Sequence, residues 1–110
     1  MNITSKRNGG ELTISLFGEL DHHSARCAIP EISKIIDVEL PIKLLLDFSG
    51  ISFMDSSGIA IAIGSYKKAT ALGAAFALIN VPSQAYKVFS AAGICKIISI
   101  TSEDASLAKI

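Results

Sequence analysis

The stretch "LLLDFSGISFMDSSGIAIAIGSYKKA", residues 44–69, decides the fold. Its opening, within residues 42–50, is a short unbroken apolar run. That predicts a central strand buried on both faces. Residues 57–72 read as a helix, with Gly73 placed as its left-handed stop. A strand running through Gly50 and Phe53 directly into a helix is half of a parallel crossover. In such sheets functional groups gather outside the carboxyl ends of the strands. Asp55, Ser56 and Ser57 fall at that point. A helix needs one capping side chain, so an acid and two hydroxyls exceed what capping requires.

Working outward, Leu12, Ile14 and Leu16 alternate with Glu11, Thr13 and Ser15 in "ELTISLFGEL", a strand with one buried face. Asn8-Gly9-Gly10 before it is a strong hairpin turn, which predicts an antiparallel partner strand near residues 2–7. Residues 24–40 repeat Ile29, Ile32, Ile36 and Leu40 at helical spacing, with Ser24 as the expected cap. Pro30 sits inside that helix, where proline costs about 3 kcal/mol, so the helix is expected to bend or begin anew there. "AAFALINV" is the next strand. "SQAYKVFSAAG" is a short helix capped by Ser83 and stopped by Gly93, "KIISI" is a further strand, and "SEDASLAKI" opens a last helix capped by Ser102. The order β-β-α-β-α-β-α-β-α predicts an α/β fold: a mixed sheet of about five strands with about four helices packed against it, forming one domain over residues 1–110.

Half of the residues are apolar, which argues against disorder. Ten basic residues balance ten acidic ones, so nothing electrostatic favours nucleic acid or an anionic membrane as a partner. The apolar stretch Ile59–Ile63 is far too short to span a bilayer, and "MNITSKRNGGEL" contains no signal-peptide core. On these features the chain is expected in the cytosol, with Cys27 and Cys95 expected as reduced, partly buried thiols. Neither a C-x-x-C pattern nor a Cys–His cluster is present. Adjacent His22 and His23 make a poor metal site, there is no Walker-type phosphate loop, and no cofactor is called for.

Projected at about 100° per residue, the helix after "MDSSG" places Ile59, Ala62, Ile63, Tyr66 and Ala69 on a core side. Ser57, Ala60, Ile61, Gly64 and Lys68 fall on the other. That outer side is small, flat and bare of glutamate, with Ile61 at its centre, which suits docking against another protein. The plain alternative is a single stray exposed isoleucine.

The hydroxyls at the helix start admit three readings. One is capping, at a gain of about 1 kcal/mol. The second is a phosphoacceptor, since a helix N-terminus tolerates a phosphate and about −1.5 to −2 charges there would disturb a flat interface. The third is a hydrolytic nucleophile with His22 or His23 as base. Against the third, "MDSSG" lacks the glycine that a nucleophile elbow needs two residues before the serine. Ser56, at the loop–helix junction, is the preferred acceptor, while the Ser57 hydroxyl is expected to engage the first helical turn. Asp21, in "GELDHHS", is expected on the same rim.

"FGELDHHSA" at 17–25 and the 44–69 stretch together resemble the STAS-domain family of anti-sigma factor antagonists, closest to the sporulation type. "VPSQAYKVFSAAGICKIISI" resembles the family's third helix and last strand. The resemblance implies that the unmodified protein binds an anti-sigma factor that is also a serine kinase, freeing a sigma factor. The kinase then phosphorylates Ser56, the complex parts, and a serine phosphatase resets it. The protein is thus a substrate and switch, not an enzyme. The helical projection joined to this resemblance makes Asp21, Asp55, Ser56, Ser57, Gly58, Ala60, Ile61, Gly64 and Lys68 the expected partner-binding residues. Pro30 and Ser65 depart from the family's pattern, the latter where a long basic side chain is common. A constitutive STAS subunit of a signalling complex is the alternative function.

Overall fold

The computed structural model describes residues 1–102. The helix expected from Ser102 onward lies outside the described residues, apart from Ser102 itself. The elements are β1 (Asn2–Asn8), β2 (Glu11–Leu20), α1 (His22–Glu39), β3 (Lys43–Met54), α2 (Ser57–Ala71), β4 (Ala75–Val81), α3 (Ser83–Ala91) and β5 (Ser99–Ser102). A short 3₁₀ turn at Ile94–Lys96 precedes β5. The five strands lie side by side in chain order. β1 pairs antiparallel with β2 through the Gly9-Gly10 turn, and Gly9 takes a φ of 64°. The remaining pairs are parallel, so the sheet is mixed as expected.

Each of α1, α2 and α3 connects one parallel strand to the next in the same direction across the sheet. Right-handed crossovers in a constant direction put all three helices on one face. Burial agrees. Leu12, Ile14 and Leu16 of β2, Leu44, Leu46 and Phe48 of β3 and Leu78 of β4 are completely or almost completely buried. The intervening Thr13, Ser15, Leu45, Asp47, Ala77 and Ile79 are half-buried. β3 is therefore fully covered on one face only, which corrects the expectation of two. On the less covered face, Asp47 accepts hydrogen bonds from the Ser15 hydroxyl (3.2 Å), the Ser49 amide (3.0 Å) and the Asn80 amide nitrogen (3.3 Å).

The helices dock through short apolar stripes. Ala25, Ala28, Ile32 and Ile36 of α1 are buried at helical spacing. α3 buries Ala85 and Phe89, and Phe89 meets Phe48 edge to face at 5.6 Å. α2 ends in a paired Schellman arrangement, with Ala74 N bonded to Ala69 O (2.8 Å) and Gly73 N to Thr70 O (3.0 Å). Gly73, at φ 73°, supplies the left-handed stop read from the sequence.

Several boundaries differ from the sequence reading. α1 begins at His22 and is capped by Asp21, not Ser24. It does not begin anew at Pro30, which lies inside one continuous helix. Pro30 and Arg26 are both exposed, so the Arg26 carbonyl that proline leaves without an N–H partner can turn to water. Pro82, not Ser83, occupies the cap position of α3, with no side-chain cap bond. The last strand starts at Ser99 rather than Lys96, because Ile94 and Ile98, one turn apart, are both buried. Ser102 is the last residue of β5, and the helix it was expected to cap lies outside the described residues. Both cysteines are free, as expected, but exposed rather than partly buried. No described helix is long and apolar enough to cross a membrane.

Candidate functional site

Two parallel strands deliver the acidic residues to one rim. Leu20 of β2 pairs with Met54 of β3, and the next amide, Asp55 N, donates to Leu20 O at 3.1 Å. Asp21 and Asp55 each come directly after these residues, so they leave neighbouring strand ends together. β3 reaches this point only by carrying two extra residues against β2. Ser15 pairs with Asp47 but Phe17 with Gly50, and Gly18 with Ile51 but Glu19 with Phe53. Such bulges bend a strand and re-aim the residues beyond them. The first requires Gly50, where a Cβ would lie 2.8 Å from Leu16 O and against the Phe17 ring.

At the rim each polar side chain has a distinct task. Asp21 forms a capping box: its Oδ1 accepts from Ser24 N (2.9 Å) while its own amide donates to Ser24 Oγ (3.0 Å). These bonds, first the Ser24 amide and then its hydroxyl, hold the Asp21 carboxyl below its usual range. Ser24 Oγ donates onward to Glu19 O (2.9 Å), tying α1 to the end of β2. Asp55 Oδ1 accepts from Ser57 N at 2.8 Å, satisfying a donor of the first turn of α2. Ser56 occupies the cap position without a side-chain cap bond, and its residue is exposed. Ser57 is half-buried, and its engaged group is the backbone amide, not the hydroxyl that was expected to bond the first turn. The arrangement therefore presents one exposed hydroxyl, Ser56, at the N-terminus of a helix whose cap is supplied next door.

The structure brings Asp21, Asp55, Ser56 and Ser57 together but divides the helical face below them. Ala60 and Gly64 are exposed and Lys68 is half-buried. Ile61 is only 2% exposed and belongs to the core, which corrects its place at the centre of a docking face. Gly58 is also buried; a Cβ there would run into the Met54 side chain, with Cγ 2.6 Å away. The reason lies in packing. α2 is covered on two flanks, by the sheet and by α1, so its buried arc is wider than a single stripe. Ile61, Ser65 and Lys68 turn towards α1, where Lys68 Nζ meets Asp37 Oδ1 at 2.7 Å. Ser65, 5% exposed, lines this seam and is not available to choose a partner. A cleft of about 110 Å³ remains between the helices, bordered by Ile29, Ser33, Ala60 and Gly64.

Sequence reasoning missed the contribution of α3. Gln84, Lys87 and Val88 share an open trough with Ser56 and Ile59. A glutamine and a lysine on a short helix carry no signal of that kind. His22 and His23 are exposed on the first turn of α1. Among the described residues neither is hydrogen-bonded to Ser56, and no group of three or more His, Cys, Asp or Glu is placed to hold a metal.

The site is thus an exposed serine beside two strand-end carboxylates, carried on a mixed five-stranded sheet with helices on one face. The chain belongs to the STAS domain family, whose model matches residues 2–106. It is 34% identical over 83 residues to an anti-sigma F factor antagonist of Lysinibacillus sphaericus, covering 76% of this chain and 71% of that one. It superposes on the anti-sigma factor antagonist SpoIIAA in its unphosphorylated form with a TM-score of 0.75 and 27% identity, covering 98% and 95% of the two chains. The phosphorylated form of the Bacillus cell-fate determinant SpoIIAA superposes with a TM-score of 0.68, also at 27% identity, covering 98% of each chain.

Proposed function

We propose that this protein is an anti-sigma factor antagonist whose binding is switched off by phosphorylation of Ser56. The observation that carries the proposal is the free, exposed Ser56 hydroxyl at the N-terminus of α2, spared from capping by Asp55. The likeness to antagonists solved in unphosphorylated and phosphorylated forms supports it. In this reading the unmodified rim docks on an anti-sigma factor that is also a serine kinase, and a sigma factor is released. Asp21, Asp55, Ser57, Ala60, Gly64 and Lys68 form the contact surface around Ser56. Gly58 and Ile61 act from beneath, holding the first turns of α2 in place.

The chemistry is consistent with a switch. The kinase transfers the γ-phosphoryl of ATP to Ser56 Oγ, the hydroxyl proton leaves, and ADP departs. The product adds about −1.5 to −2 charges beside Asp55 and Asp21. The helix N-terminus stabilises that charge, so the fold survives. A partner packed against the same rim meets the new charge desolvated. A loss of about 3 kcal/mol there lowers affinity over a hundredfold. A serine phosphatase returns the chain to its binding form, and the protein itself turns nothing over.

Titration of Ser56→Ala and Ser56→Asp variants against the host organism's anti-sigma factor tests this. Ser56→Ala binds as wild type and accepts no phosphate, while Ser56→Asp binds weakly. Equal affinity of both variants, with no response to ATP, would instead indicate a constitutive STAS subunit.

A further inference from the structure

The root of the serine loop is fastened by a side chain that no strand-and-helix pattern calls for. β3 and β4 pair from Lys43–Ala75 to Asp47–Ile79 and no further. Farther along β3, Met54 still needs partners for its amide and carbonyl on the β4 side, since its neighbour Asp55 points the other way, to Leu20. Gln84, in the first turn of α3, supplies both. Met54 N donates to Gln84 Oε1 at 2.9 Å, and Gln84 Nε2 donates to Met54 O at 2.8 Å. The carboxamide thus imitates the peptide group of a missing strand. Ser56 is two residues beyond Met54, and it shares one trough with Gln84.

We propose that Gln84 is a positioning residue for Ser56. It clamps the β4 side of the strand end while Leu20 clamps the β2 side, so the Asp55–Ser56 junction leaves a fixed point. α3 thereby becomes part of the device that presents the acceptor hydroxyl. Only a group with one donor and one acceptor side by side can do this. Glutamate accepts from Met54 N but cannot donate to Met54 O, and leucine does neither.

The proposal rests on Ser56 being the phosphoacceptor, so the test separates the two claims. Wild type, Gln84→Glu and Gln84→Leu are compared by amide hydrogen exchange and by phosphorylation with ATP and the host organism's anti-sigma factor. In Gln84→Leu the Met54 amide exchanges about tenfold faster. Phosphoryl transfer to Ser56 slows about tenfold in kcat with KM nearly unchanged, and Gln84→Glu falls between. Amides of α1 and β2 keep their protection, which excludes general loosening. Unchanged kcat in both variants, or unchanged exchange at Met54, would overturn the positioning role. A wild-type chain that takes no phosphate on Ser56 would overturn the acceptor reading and the role with it. Exchange at Met54 would then still show whether the clamp exists.

Discussion

Asp55 accepts a hydrogen bond from the Ser57 amide at 2.8 Å, and this bond leaves Ser56 free. The carboxylate performs the capping that a hydroxyl would otherwise perform. Its removal should expose a donor in the first turn of α2. Asp55→Ala is expected to lower stability by about 1 kcal/mol, read as a shift in the urea midpoint at constant slope. An unchanged midpoint would mean that Ser56 or water takes over the cap.

Ile61 gives the sharpest test of the corrected helical face. It lies in the core at the seam with α1, so Ile61→Ala should cost about 2–5 kcal/mol. Ile61→Glu would bury an unpaired charge and is expected to prevent folding at ordinary temperature. Ala60→Ser, one residue away and exposed, should leave the thermal midpoint almost unchanged. Equal behaviour of the two positions in thermal melts would contradict the packing described.

That contrast shows what the sequence carried and where it fell short. Alternation in Leu12–Leu16, the Asn8-Gly9-Gly10 turn and the Gly73 stop are local signals, and each was met by the same element in the structure. That Asp21 and Asp55 share a rim was legible in the same way, because each comes directly after a strand end. The error over Ile61 arose because helical projection assumes one buried stripe, and nothing local announces that α1 also covers α2. Gln84 escaped for a related reason: its bond to Met54 spans 30 residues. Ser24 resembled a cap but is the third helical residue in a capping box whose cap is Asp21.

Gly50 and Gly58 both stand where a Cβ collides, but with different neighbours. At Gly50 one obstacle is the backbone oxygen of Leu16, which cannot step aside. At Gly58 it is the Met54 side chain, which is flexible though fully buried. Gly50→Ala should therefore cost more than Gly58→Ala, with both in the range of about 1–3 kcal/mol. Chemical denaturation of the two variants gives the order, and the reverse order would place the tighter constraint at α2.

Among the described residues, the carboxyls of Asp47 and Asp21 are held below their usual range and contribute to the acid limb of stability. Partial burial pushes the Asp47 carboxyl up, but bonds from Ser49, Asn80 and Ser15 outweigh it, and the group lies below its usual 3.8. Asp21 is lowered from the same value by the Ser24 amide and hydroxyl. A carboxyl lowered on folding stabilises the native state above its unfolded value and loses that contribution as pH falls through the folded one. Stability should thus hold from neutrality to about pH 4 and decline below it. Asp47→Asn should show a shallower decline between about pH 4 and pH 2 in urea midpoints. A slope identical to wild type would remove Asp47 from the account.

The central claim is that phosphate on Ser56 ends the complex. The direct measurement is to phosphorylate the wild-type chain with its cognate kinase and ATP, locate the phosphate by fragment mass spectrometry, and titrate the purified phosphoprotein against the anti-sigma factor by calorimetry. The account predicts phosphate on Ser56, affinity reduced by about a hundredfold or more, and full recovery after phosphatase treatment. Phosphate confined to Ser57, or a Ser56-phosphorylated chain that binds as tightly as before, would contradict it.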